Sequence, residues 1–150
     1  MQSREADSGI AAYLEAEFPD PPLLGTNSEE KGLIATWNTK MEMNGLWAVA
    51  EALRNSSPAM KDRALTGSKN YAQIPELAQR GLDRLNDFMQ NLESRLEGRD
   101  YIVTNRFTIV DISAVVAVDF ARIVKVVPGE QHPNILRWRE LLAQRPSISS

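Results

Sequence analysis

Arg106-Phe107-Thr108-Ile109-Val110-Asp111-Ile112 leads into the longest apolar stretch of the chain, IVDISAVVAVDFARIVKVV at 109–127, and its reading decides the fold. Thr108 and Asp111 stand three residues apart, the spacing of a capping box. The threonine oxygen accepts from an amide of the first turn, and the acid reaches back to the cap amide. Phe107 before the cap and Ile112 after it are placed for a hydrophobic staple. The pattern predicts a helix from Ile109 to about Val127, closed by Pro128-Gly129. Asp111, Asp119, Arg122 and Lys125 would each be costly in hydrocarbon, so the helix reads as buried in protein and not as a membrane span. It is apolar nearly all round, so neighbours must cover it on several sides.

Those neighbours are legible on either side. Upstream, Ser28 is a good N-cap, and Leu33, Ile34, Trp37, Met41, Gly45, Leu46, Val49, Ala52 and Leu53 recur in steps of three and four. This predicts one long helix ending at Asn55-Ser56-Ser57-Pro58. Residues 59–72 read either as a further piece of that helix or as an irregular crossover, since Gly67 and Ser68 interrupt any pattern there. Pro75 then suits a first helical turn, and Leu77, Gly81, Leu82, Leu85, Phe88, Met89, Leu92 and Leu96 form a stripe that stops at Gly98. Downstream, Ile135, Leu136, Trp138, Leu141 and Leu142 predict a last helix over about 133–144, before Arg145-Pro146-Ser147. At the start, DSGIAAYLEAEF at 7–18 reads as a short helix capped by Asp7 or Ser8, and Pro19, Pro21 and Pro22 end it. Sustained period-two alternation is missing throughout. The expectation is all-α, a helical bundle around a buried central helix.

Composition narrows the chemistry. The chain has 150 residues, a formal net charge of −3, no Cys and one His. That rules out disulfides, thiolate nucleophiles and Cys-ligated metal sites, and it makes a Ser-His-Asp triad or a multi-His metal centre improbable. A mildly acidic balance argues against nucleic acid bound by bulk charge. Residues 1–17 carry Arg4, Glu5, Asp7, Glu15 and Glu17, which is no secretory core, so a cytoplasmic, soluble protein is expected.

YLEAEFPDPPLLG, the long helix with Trp37 and Glu42, YIVTNRFTIVDISAVVAVDFA and RWRELLAQRPS together resemble, in the right order, the C-terminal half of cytosolic glutathione S-transferases. Val118-Asp119-Phe120-Ala121 is similar to a bacterial and fungal branch of that family. The resemblance implies a C-terminal-like helical bundle of about five helices over 28–150, a linker loop at 19–27, and at 1–18 the last helix of a thioredoxin-like N-terminal domain that is otherwise missing. That domain carries most of the glutathione site and the group that activates the thiol, so the resemblance assigns no catalytic residue here and implies an isolated chain without conjugating activity. It implies glutathione as co-substrate, with Asp7 and Ser8 (or, less well spaced, Gln2 and Ser3) at its γ-glutamyl end. Simple helix capping is the competing reading of Asp7 and Ser8.

The resemblance further implies that the long helix lines the pocket for a small hydrophobic electrophile, through Trp37, Met41, Asn44 and Gly45. Plain core packing is the alternative for Trp37 and Met41. Thr108 and Asp111 are structural, and no metal is implied. Phe120 and Val124 read as core, and His132 as an exposed loop residue. Glu42 and Arg54 read as solvated or helix-end groups, and Arg122 and Lys125 as cations serving the last turn of their helix. Partners would be a homodimer mate or a protein that supplies the missing domain, with no membrane and no nucleic acid. The setting implied is detoxification by conjugation; the alternative function is a non-catalytic interaction or assembly module of the same fold.

Overall fold

The computed structural model describes the backbone of residues 2–149 and the side chains from Gly9 to Ile148. Helix α1 (Gln2–Glu17) is followed by α2 (Ser28–Met41), which runs through a π-helical turn (Glu42–Leu46) into α3 (Trp47–Ser56). A crossover with one 3-10 turn (Pro58–Met60) leads to α4 (Pro75–Arg95). Then come α5 (Ile109–Phe120) with a 3-10 extension (Ala121–Val124), α6 (Pro133–Ala143) and the short α7 (Pro146–Ser149). Among the described residues there is no strand; Arg63 and Tyr71 form one isolated bridge within the crossover. The chain is all-α, as its periodicity predicts. Among the described residues no helix is long and apolar enough to cross a membrane.

The core is built around α5. Val110, Ala114, Ala117, Val118 and Ala121 are buried against Leu85, Phe88, Met89 and Leu92 of α4, Ile34 and Met41 of α2, Val49 of α3 and Trp138 of α6. Two glycines allow close approach, Gly45 to side chains of α4 and α5 and Gly81 to the backbone of α3. A Cβ on Gly45 would lie 2.8 Å from that of Ala117 on α5, and one on Gly81 would lie 2.6 Å from the Ala52 nitrogen on α3. Both distances are below any ordinary contact, so these positions have no room for a side chain.

The capping box forms as predicted, and its acid does more than cap. The Thr108 amide donates to Asp111 Oδ2 at 3.0 Å, and Thr108 Oγ1 accepts from the Val110 amide at 3.3 Å. Asp111 Oδ1 also accepts from the Ile102 amide at 3.1 Å and from Trp138 Nε1 at 3.2 Å. One fully buried carboxylate therefore joins the loop before α5, the start of α5 and the middle of α6. Phe107 does not simply staple the helix. It meets Tyr101 edge-on, with ring centres 6.4 Å apart, and carries the Arg145 guanidinium 3.9 Å above its face.

The linker is tied down from both ends. Glu15 of α1 accepts from the Leu23 and Leu24 amides at 3.0 and 2.8 Å, and the Ile109 amide donates to Leu23 O at 3.2 Å. Arg106 forks onto Glu30 with contacts of 3.0 and 2.5 Å. Thr26 donates to the same carboxylate from its amide and its hydroxyl.

Several boundaries differ from the pattern-based expectation. α1 begins at Gln2, so Asp7 and Ser8 lie inside the helix and cannot be its caps. Asn27, not Ser28, caps α2, accepting from the Glu30 amide at 2.9 Å. The expected single long helix is interrupted by the π turn, which sits where Gly45 crosses α5. Of the two readings of residues 59–72, the irregular crossover is the one found: Arg54 donates to Arg63 O, and Gln73 donates to the carbonyls of Arg54 and Ser57. α5 does not reach Val127, because Lys125 turns left-handed and ends the helical run. Phe120 is 36 % exposed and not core. His132 is half-buried at the start of α6, whose free amides are served by Glu93 of α4, accepting from Asn134 and Ile135 at 2.9 Å each.

Burial pushes the Asp111 carboxyl up from its ordinary range, and the donors that converge on it only partly offset this. Asp111→Asn removes the buried charge but sets an amide NH2 against the Thr108 N–H. A loss of about 1–3 kcal/mol is expected in urea unfolding at pH 7, and Asp111→Ala, which orphans every donor, should lose about 3–5 kcal/mol. Glu30 behaves oppositely. The Arg106 hydrogen bonds hold its carboxyl well below the usual range, so its contribution is present above that range and is lost as pH falls through it. Glu30→Gln should therefore be less stable than the natural chain at pH 7, and the gap between their unfolding midpoints should close as the pH is taken below 4.

Candidate functional site

A cleft of about 400 Å³ opens between α2 with its π turn and α4. Trp37, Lys40, Met41 and Asn44 form one wall, and Arg84, Asp87, Phe88, Asn91 and Leu92 the other. Helical spacing makes both walls: positions 37, 40, 41 and 44, and positions 84, 87, 88, 91 and 92, are each one face of a helix. Three of the four residues expected to meet a substrate, Trp37, Met41 and Asn44, come together here. Gly45 does not line the cleft. It is buried behind it, where its missing side chain admits Ala117 and Phe88. Met41 is 4 % exposed and serves the core and the cleft floor at once. Asp7 and Ser8 lie in α1, and their side chains fall outside the described residues.

The cleft is more polar than the expected apolar chamber. Two cations lie over the Trp37 ring, Lys40 Nζ at 4.5 Å and the Arg95 guanidinium at 4.4 Å from its centre. Such contacts stabilise the ring position through its quadrupole and place positive charge against it. Arg84 is committed: it donates to Met43 O at 2.6 Å and to Glu51 at 3.3 Å. Glu51 also pairs with Arg80, whose hydrogen bond, ahead of the Arg84 contacts, lowers its carboxyl below the usual range. Phe88, Leu92 and Met41 supply the apolar floor. Sequence reading missed the α4 wall. Its signal was present, since the polar residues of α4 recur at helical spacing beside the apolar stripe.

A second groove, of about 570 Å³, lies between α1 and α2 and meets the start of α5. Ala11, Ala12, Ala16, Leu24, Ile34, Ala35 and Ile109 make it apolar. A polar chain crosses it: Ser113 donates to Asn38 Oδ1 at 2.6 Å, and Asn38 donates to Glu42 at 2.8 Å. Glu42 is thus engaged by Asn38 rather than simply solvated. Among the described residues no group of His, Asp and Glu could hold a metal ion. Asp87 lines the first groove, and Glu15 and Glu42 line the second.

Residues 52–146 match the family described as "Glutathione S-transferase, C-terminal domain". The chain is 26 % identical over 141 residues to glutathione S-transferase 2 of Saccharomyces cerevisiae, covering 94 % of this chain and 58 % of that protein. The crystal structure of Gtt2 from Saccharomyces cerevisiae superposes with a TM-score of 0.83 at 26 % identity, covering 95 % of this chain and 66 % of that one. A glutathione S-transferase from Methylobacterium radiotolerans, solved in complex with glutathione sulfonate, shares the fold at a TM-score of 0.72 and 24 % identity, covering 95 % of this chain and 63 % of that one. The chain thus spans less than two thirds of these relatives' length. With its capping box, buried central helix and matched residues all in place, the chain belongs to the glutathione S-transferase family through its C-terminal helical domain.

Proposed function

We propose that this chain supplies the electrophile-binding wall of a glutathione-conjugating site, with the α2–α4 cleft receiving a small hydrophobic electrophile. The observation that carries the reading is the convergence of Trp37, Met41 and Asn44 with Phe88 and Leu92 on one cleft. Ring-edge and thioether surface there suits a flat, polarisable ligand. Gly45 contributes by packing behind the cleft and not by contact. Glutathione is the co-substrate in this reading, and the relative bound to glutathione sulfonate supports it. Asp7 and Ser8 are proposed for the γ-glutamyl end, where a carboxylate can hold an ammonium and a hydroxyl a carboxylate.

Thiolate attack needs a lowered thiol pKa in a dry pocket. The cleft is proposed to supply the pocket and not the thiol-activating group, so the 150 residues by themselves are proposed to bind without turning over. A thioredoxin-like domain, supplied by a partner, would complete the site.

A second reading, a non-catalytic assembly module or homodimer, is favoured by one feature. Ile10, Tyr13, Leu14 and Phe18 form a stripe on α1 and just beyond it that is 47–71 % exposed. A contiguous apolar patch of this kind marks a contact surface.

With glutathione and 1-chloro-2,4-dinitrobenzene, the purified chain should show no turnover above the uncatalysed rate; robust turnover would refute the binding-only assignment. Trp37→Ala should weaken binding of the same aryl halide, read by calorimetry without glutathione, by about five- to tenfold, as expected for one aromatic contact. Unchanged affinity would remove the α2–α4 cleft from the proposal. Light scattering across a dilution series tests the second reading: a strict monomer at all concentrations counts against self-assembly.

A further inference from the structure

A third groove, of about 670 Å³, lies at the end of the molecule where α3, the crossover, α4 and the 3-10 extension of α5 meet. Its walls are apolar: Ala52 and Leu53 of α3, Pro58, Ala59 and Met60 of the crossover, Ala78 and Leu82 of α4, and Ile123 and Val124 after α5. Ser56 and Ser57 also border it, and Ser56 Oγ is already spent on Ala52 O at 2.7 Å. The lining holds one ionisable residue, Lys125, and no acid.

Lys125 is unusual in its backbone as well. It adopts φ 63° and ψ 23°, in the left-handed region, and closes the helical run by donating from its amide to Arg122 O at 3.0 Å. Helix ends of this geometry favour Gly or Asn, because a Cβ is disfavoured there. Its ammonium pairs with no carboxylate among the described residues, whereas the neighbouring Arg122 is paired with Asp119. The fold therefore keeps a side chain at a position where the backbone would prefer none and where packing does not use it. A disfavoured backbone conformation beside a groove is the kind of outlier from which function is inferred.

We infer that this groove binds a single-chain carboxylate amphiphile, its tail along Leu53, Met60, Leu82 and Ile123 and its carboxylate at Lys125. Charge complementarity selects the occupant: one cation at an otherwise apolar rim accepts an anionic head and gives a neutral or cationic one nothing. Met60, flexible and polarisable, suits tails of differing length. The groove shares no lining residue with the α2–α4 cleft, so this site stands independently of the conjugation reading.

The test is calorimetric titration of the full 150-residue chain with octanoate, decanoate and decan-1-ol at millimolar concentration or below. Saturable binding at one site is expected. Decanoate should bind about fifteenfold tighter than octanoate, since each of its two extra methylenes contributes about fourfold when buried. Decanol should bind about three- to fivefold more weakly than decanoate, the range of a rim-exposed charge contact. Lys125→Gln should abolish the preference for decanoate over decanol. Lys125→Gly should abolish it too while raising the melting temperature by about 2–4 °C, because glycine relaxes the left-handed backbone. Ala59→Trp, at an exposed position on the groove wall, should block both ligands with the helical circular dichroism unchanged. Absence of saturable binding, a preference for decanoate that survives in Lys125→Gln, or binding that survives in Ala59→Trp would overturn the proposal.

Discussion

The Asp111 carboxylate holds this domain in register. Its two oxygens take hydrogen bonds from the Thr108 amide, the Ile102 amide and the Trp138 indole, and no part of the residue reaches solvent. A charge in so apolar a place is costly, and only convergent donors of good geometry make it tolerable. The same arrangement makes the junction exacting: the loop after α4, the start of α5 and the middle of α6 must all be in place for any one to be satisfied. α5 is the helix on which the others pack, so fixing its first turn positions the bundle.

From that junction the binding surfaces follow. α5 presents small residues, Ala114 and Ala117, to its neighbours, Gly45 packs against Ala117 and Phe88, and Gly81 lets α4 close on the backbone of α3. Met41, Phe88 and Leu92 are core residues that also border the cleft, where Trp37 joins them. Two cations over Trp37 stabilise the ring position. Polar groups at this rim over an apolar floor give a site suited to orienting a flat, polarisable ligand.

Much of the architecture was legible because its causes are local. The capping box is a three-residue spacing, Pro75 and Pro133 mark helix starts, and apolar recurrence gives the faces of α2, α4 and α6. What escaped is what depends on distant partners. Trp138 meets Asp111 across 27 positions, Glu93 serves α6 across 41, and Arg106 reaches Glu30 across 76. The π turn was invisible because helical periodicity continues through it; only its crossing with Ala117 explains it. The early end of α5 was missed because Lys125 gives no local warning of a left-handed turn. The α2 half of the cleft was found through its aromatic and Met residues, while the α4 half, mostly polar, read as a solvated face.

One spectrum joins the junction to the cleft: the indole N–H signals of Trp37, Trp47 and Trp138 in nitrogen-labelled protein, recorded with increasing 1-chloro-2,4-dinitrobenzene. Trp138, bonded to Asp111 in the core, should exchange slowest with solvent and hold its position throughout. Trp37 should shift progressively, together with the side-chain amides of Asn44 and Asn91. Rapid exchange at Trp138, or shifts confined to residues outside the α2–α4 cleft, would contradict the account.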